Sequence, residues 1–177
     1  MDLSEILNPA IVDLQVEGTT KREVLENLSG RLLANGYIGD VKQFVDDIFV
    51  REAEGPTGMG SQLSIPHGKS KTVKKIGIAI GRTVNPIRWE SSIEDGGWQD
   101  TRLIFLFCVS ADSSFAENHM KLMSQLAGKL GNDARVKALQ KAQTADEIIH
   151  LILCGDEELE GSATDESEKI VDLDIKF

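Results

Sequence analysis

Residues 103–109 read "LIFLFCV", an unbroken apolar run. A strand with apolar residues at every position, rather than at alternate ones, suits the middle of a sheet covered on both faces. This stretch therefore predicts a central strand with structure packed above and below it. Two further strand candidates precede it, Leu63–Pro66 and Ile76–Ile80. The intervening "NPIRWESSIEDGGWQD" (85–100) reads as a strand end followed by a hairpin or loop.

Helices flank these strands. In "TTKREVLENLSGRLLANG" (19–36), Thr20 and Glu23 form a capping-box signature, Val24, Leu28 and Leu32 repeat at helical spacing, and Gly36 is the stop. "DVKQFVDDIFVRE" (40–52) repeats the device with Asp40 and Gln43. "SSFAENHMKLMSQLAGKLG" (113–131) is a third helix, with Ser114 as cap, Glu117 completing the box, and a stripe of Leu122, Leu126 and Leu130. "DARVKALQKA" and "TADEIIHLILC" complete the set, the last boxed by Thr144 and Glu147. The predicted fold class is α/β, a three-layer α/β/α sandwich around a small mixed sheet.

A chain of 177 residues is long enough for one domain with a substantial core. The net charge is −10. Residues 155–177 hold nine acidic and two basic residues, a net of −7, which leaves −3 for the rest. The expected organisation is a domain over 1–154 and an appendage over 155–177. Within the appendage, 155–169 reads as an acidic linker. Val171, Leu173, Ile175 and Phe177 then alternate with polar residues as in a strand. This charge balance argues against nucleic acid, which requires a basic patch. No apolar run reaches membrane-spanning length, and "MDLSEILNPA" lacks the pattern of a signal peptide. Cys108 and Cys154 lie in apolar runs and are expected to be reduced and buried, which fits a cytoplasmic setting.

The chemistry centres on "SQLSIPHGKS" (61–70). Pro66 fixes its own φ and extends Ile65, so His67 leaves a stiff strand end. Gly68 removes bulk beside the imidazole, and Lys69, Ser70 and Lys71 add positive charge and a hydroxyl. A histidine held this way is an accessible nucleophile or base, although the residues alone also fit a surface turn. No Gly-x-Ser-x-Gly elbow, HExxH, CxxC, Walker loop or GxGxxG is present. His67, His119 and His150 are far apart in sequence, so neither metal nor nucleotide has motif support. Phosphoryl transfer through the imidazole itself remains.

The stretch from Arg51 to Gly68, "RE-x2-GPTGMGSQLSIPHG", resembles the active-site signature of the enzyme IIA domains of the mannitol–fructose class of the bacterial sugar phosphotransferase system. "ENHMKLMSQLA" places His119 where those domains carry a second histidine. The resemblance implies that His67 is the phosphorylated residue, that His119 contacts or orients the phosphoryl group, and that Arg51 is the active-site arginine. Read alone, His119 also fits a partly exposed helix histidine and Arg51 a solvated helix end. His150 fits no motif and reads as structural or solvated. The resemblance further implies a phosphocarrier accepting from phospho-HPr and passing to an enzyme IIB cysteine, with the membrane reached only through an IIC transporter. No cofactor or metal is implied. Relatives of the nitrogen-related type instead imply regulation by the phosphorylation state of the same histidine. The family often has glycine at position 62 and alanine at 64, where this chain has Gln62 and Ser64. Gln62 makes a left-handed backbone there less comfortable.

Overall fold

The computed structural model describes residues 2–112 and 116–159. The Ser114–Glu117 cap and the alternating segment 170–177 lie outside the described residues, the former because its cap residue does.

The run Leu103–Val109 is the core of β6 (Trp98–Ser110), and both of its faces are covered. Leu103, Phe105, Phe107 and Val109 enter one apolar cluster, while Ile104, Leu106 and Cys108 enter the other. Successive side chains point to opposite faces of a strand, so an unbroken apolar run serves two cores at once. Each fully buried aliphatic or aromatic side chain stabilises the fold by about 1.5–3 kcal/mol.

On the first face lie α1 (Leu3–Ile6), α4 (Ala116–Leu130), α5 (Asp133–Lys141) and α6 (Ala145–Leu153). Leu122, Leu126 and Leu130 of α4 pack there with Ile148 and Ile152 of α6. On the second face lie α2 (Lys21–Ala34) and α3 (Val41–Glu52), which bury Val24, Leu25, Leu28, Phe44, Val45 and Ile48. Thr20, Asp40 and Thr144 accept hydrogen bonds from the backbone N–H groups of Glu23, Gln43 and Glu147, as their cap signatures predict. The architecture is the expected three-layer sandwich.

Among the described residues the sheet has six strands. β1 (Val12–Val16) runs parallel to β5 (Gly77–Glu90), which pairs antiparallel with β6 in a long hairpin. The other edge of β6 is shared by two short strands in parallel register, β3 (Leu63–Ser64) and β4 (His67–Ser70). β2 (Gly58–Gly60) adds antiparallel to β3. The strand expected over Leu63–Pro66 is thus split at Pro66, which has no N–H to donate. Its carbonyl instead accepts the Phe107 N–H at 3.0 Å, and pairing resumes at His67, opposite Phe107. β1 and β2 are strands where none was expected.

Gly68 has a different role from the one its small size suggests. A Cβ there would lie 2.2 Å from the Phe44 ring. The missing side chain makes room for the chain's own core, not for an approaching molecule. Among the described residues, no helix is long and apolar enough to cross a membrane.

Candidate functional site

β4 begins at His67, so the imidazole is fixed by a ladder on the central strand. Its ring stacks on Phe107, centroid to centroid 5.6 Å and 17° between planes. The ring of His119 meets it edge-on at 5.5 Å. The structure therefore brings together two histidines separated by 52 positions, and leaves the third, His150, exposed beside Glu158. Met123, one helical turn after His119 and on the same face of α4, places its Sδ 2.8 Å from His67 Nε2.

His67 is only 6% exposed. Burial, then the neighbouring His119 and Arg51, push its pKa down to about 4. His119 is likewise lowered, by burial first and Lys69 second. Both rings are neutral at pH 7, so each holds a nitrogen lone pair. The Ile65 carbonyl lies near enough to His67 to favour its protonated form. Among the described residues, Nδ1 is buried with no hydrogen-bond partner that meets ordinary geometry. His119 Nε2 is also buried without one. Nδ1 is sealed from solvent, so Nε2 is the atom through which His67 can react.

Arg51 comes from the last turn of α3, and its Nη1 donates to the Gly55 carbonyl at 3.1 Å. The bond folds the guanidinium back over the loop that leads to the site. The adjacent Glu52 is a contributor that sequence reading did not assign a role. Its carboxylate is buried, 2.5 Å from Lys21 Nζ, and accepts from the Thr57 hydroxyl. Thr57 Oγ1 in turn accepts from Trp89 Nε1 at 2.9 Å, and the Thr57 carbonyl accepts the Ile65 N–H at 3.0 Å. The Arg-Glu pair therefore divides its work. Arg51 faces the site, while Glu52 ties the Gly-Pro-Thr-Gly loop to α2, β5 and the strand carrying His67.

Of the polar residues after His67, Lys69 is exposed and acts on His119, whereas Ser70 turns away and donates to Asp47. Phe107 and Met123 had legible signals, the first on the same face of β6 as Leu103 and Phe105, the second four residues after His119. The two cysteines are free and buried, and burial pushes the Cys108 thiol up to about 12. It is not a nucleophile at neutral pH.

Two neutral imidazoles in edge contact, with the cations Arg51 and Lys69 nearby, form a site able to accept a group bearing negative charge. Residues 5–154 match the family described as phosphoenolpyruvate-dependent sugar phosphotransferase system, EIIA 2. The chain is 31% identical over 146 residues to the fructose-like EIIA component of that system from Escherichia coli K12, covering 82% of this chain and 94% of that protein. It is 30% identical over 149 residues to the 2-O-alpha-mannosyl-D-glycerate-specific EIIABC component of the same organism. There it covers 84% of this chain and spans only 22% of the relative. The crystal structure of nitrogen regulatory protein IIA-Ntr from Neisseria meningitidis superposes with a TM-score of 0.71 at 26% identity, covering 84% of this chain and 97% of that one.

Proposed function

Because the chain belongs to the EIIA 2 family of the phosphoenolpyruvate-dependent sugar phosphotransferase system, we infer that it is a phosphohistidine carrier working through His67. The phosphoryl group comes from the phosphohistidine of HPr and passes to the cysteine of an enzyme IIB domain, which phosphorylates the incoming sugar. Residues 1–154 are the carrier domain in this reading, with 155–177 appended.

The observation that carries the reading is the state of His67: neutral and desolvated, its Nδ1 sealed and its Nε2 covered only by the Met123 thioether, with Arg51 and Lys69 nearby. With its proton on Nδ1, toward the Ile65 carbonyl, the ring presents the Nε2 lone pair to phosphorus. In-line attack forms the Nε2–P bond as the bond to the HPr nitrogen breaks. The HPr imidazole, protonated on its other nitrogen, leaves neutral, while the His67 ring keeps its Nδ1 proton and takes up the positive charge, and Arg51 offsets charge on the transferring oxygens. His119 supplies the second imidazole, its Nε2 without a protein partner. In the onward step the thiolate of IIB attacks phosphorus and the Nε2–P bond breaks.

Incubation with phosphoenolpyruvate, enzyme I and HPr tests this. Intact-mass measurement is expected to show one phosphoryl group per chain, acid-labile and alkali-stable, absent from His67→Ala. A label mapped to His119 or His150 would refute the assignment. The likeness to the IIA-Ntr structure supports a second reading, in which phosphorylation of His67 controls a protein partner. A phosphorylated chain that discharges onto no IIB domain would favour it.

A further inference from the structure

Residues 150–158, "HLILCGDEE", set a histidine, a cysteine and a glutamate at intervals of four. His150 lies in the last turn of α6, Cys154 caps that helix, and Glu158 belongs to a short helical turn over 156–159. The chain leaves helical geometry at Cys154, with φ −66° and ψ 156°. The change of direction gathers the three side chains at one corner. The His150 ring nitrogen, Cys154 Sγ and a Glu158 carboxylate oxygen all lie within 4.8 Å of one another, with His150 Nε2 3.2 Å from Glu158 Oε1.

The backbone of this corner is held by buried contacts. The fully buried Arg135 donates to the carbonyls of Lys129, Leu151 and Cys154 and to Asp156 Oδ1, at 2.6 to 3.1 Å. Lys129 Nζ adds bonds to the Leu153 and Cys154 carbonyls. Leu159, at the far end of the turn, is buried. The backbone positions of all three residues are thereby set before any ligand arrives.

We propose that His150, Cys154 and Glu158 bind a divalent transition-metal ion of the zinc type, with water at the fourth position. An imidazole nitrogen, a thiolate and a carboxylate suit such an ion, whereas magnesium and calcium demand oxygen alone. Tetrahedral bonds of about 2.0–2.3 Å put donor atoms about 3.5 Å apart, so the corner closes by about 1 Å. The exposed side chains of His150 and Glu158 can supply this by rotation, while Cys154, 8% exposed, is shielded. On binding, the thiol proton leaves to solvent as the sulfur–metal bond forms, without oxidation or reduction. The site is separate from His67. Lys129, which reaches this corner, lies ten residues along α4 from His119, about 15 Å of helix rise. Its effect is structural: the ion clamps the turn 156–159, from which residues 160–177 continue, onto α6.

Titration of the full chain with Co2+ tests the proposal. One equivalent is expected to bind with a thiolate-to-cobalt charge-transfer band and the visible bands of a four-coordinate ion. Cys154→Ser removes the charge-transfer band, His150→Ala and Glu158→Gln each weaken binding by at least about tenfold, and Cys108→Ala leaves it unchanged. His150 and Glu158 are exposed, so their variants fold whether or not the cysteine variant does. A band that does not saturate, that disappears with Cys108→Ala, or that keeps wild-type affinity in both His150→Ala and Glu158→Gln overturns the proposal.

Discussion

The Sδ atom of Met123 lies 2.8 Å from the Nε2 atom of His67. The thioether can accept a hydrogen bond from Nε2–H but cannot donate one. When Nε2 carries the proton, it points at sulfur and the lone pair is lost. When Nδ1 carries it, Nε2 keeps its lone pair, and in the proposed transfer Met123 swings aside as phosphorus arrives.

Met123→Leu removes the acceptor while conserving volume, so the fold is retained at a cost below about 1.5 kcal/mol. The tautomer with the proton on Nδ1 is expected to gain population, and His67 phosphorylation to speed up by a few-fold. Nitrogen-15 chemical shifts of the imidazole and transfer kinetics from phospho-HPr check the two halves separately. An unchanged tautomer ratio would show that the sulfur contact does not set it.

Arg51→Ala is expected to slow phosphoryl transfer by about 10- to 1,000-fold, the size of a lost transition-state charge contact. Stability should change little, because Arg51 spends one bond on the Gly55 carbonyl and lies outside both apolar clusters. His119→Ala is expected to slow transfer over the same range. Rapid-quench kinetics beside a thermal melt separate the two effects. Rates matching the wild type would remove these residues from the mechanism.

The depressed pKa of His67 fixes the direction of one pH effect. The unfolded chain binds a proton at this residue near pH 6.5, whereas the folded site takes it only near 4. Below pH 6.5 the unfolded state therefore holds more protons, and stability falls as pH falls, levelling off below about 4. The full contribution is about 3 kcal/mol at most. Denaturant titrations of the wild type and His67→Gln between pH 7 and 4 are expected to differ in slope, the variant losing less. His119 acts in the same direction, so some slope remains.

Ser61 and Gln62 join β2 to β3 with φ of 54° and 65°. Both are left-handed, which a two-residue hairpin of this kind demands and which side chains disfavour. The Gln62 carbonyl accepts from the N–H groups of Arg102 and Leu103, while its side chain is exposed. Gln62→Gly is expected to stabilise the chain by about 1 kcal/mol. A thermal melt shows whether it does, and a lowered midpoint would mean the side chain has a role of its own.

The layers of the fold were legible because their signals are local. "LIFLFCV" carries two faces in one run, and Thr20, Asp40 and Thr144 announce their helices within four residues. The short strands were not, because pairing rather than pattern makes them. Gly58–Gly60 has almost no side chains to alternate, and its strand exists only because Leu63 and Ser64 lie opposite. The split at Pro66 likewise depends on β6 supplying the Phe107 N–H. At the site, the constrained setting of His67 was visible in its neighbours. The meeting of His67 with His119 was inferred from resemblance, since nothing in their own spacing requires it. Glu52 was hidden by its chemistry. A glutamate at a helix end reads as solvated, and Lys21, from another helix, together with the Thr57 hydroxyl makes its burial tolerable.

The pairing of His67 with Phe107 places the reactive ring on the same hydrogen-bonded ladder as the centre of the molecule. A backbone locked into a central ladder opens only when the whole domain opens, as slow amide exchange reports in such positions. The Phe107 amide, bonded to the Pro66 carbonyl, should therefore exchange only through global unfolding. The backbone beneath the His67 ring is therefore expected to lack a local opening of its own. In the proposed transfer its geometry would persist from one turnover to the next, leaving the required motion to side chains, Met123 foremost, and to the partners.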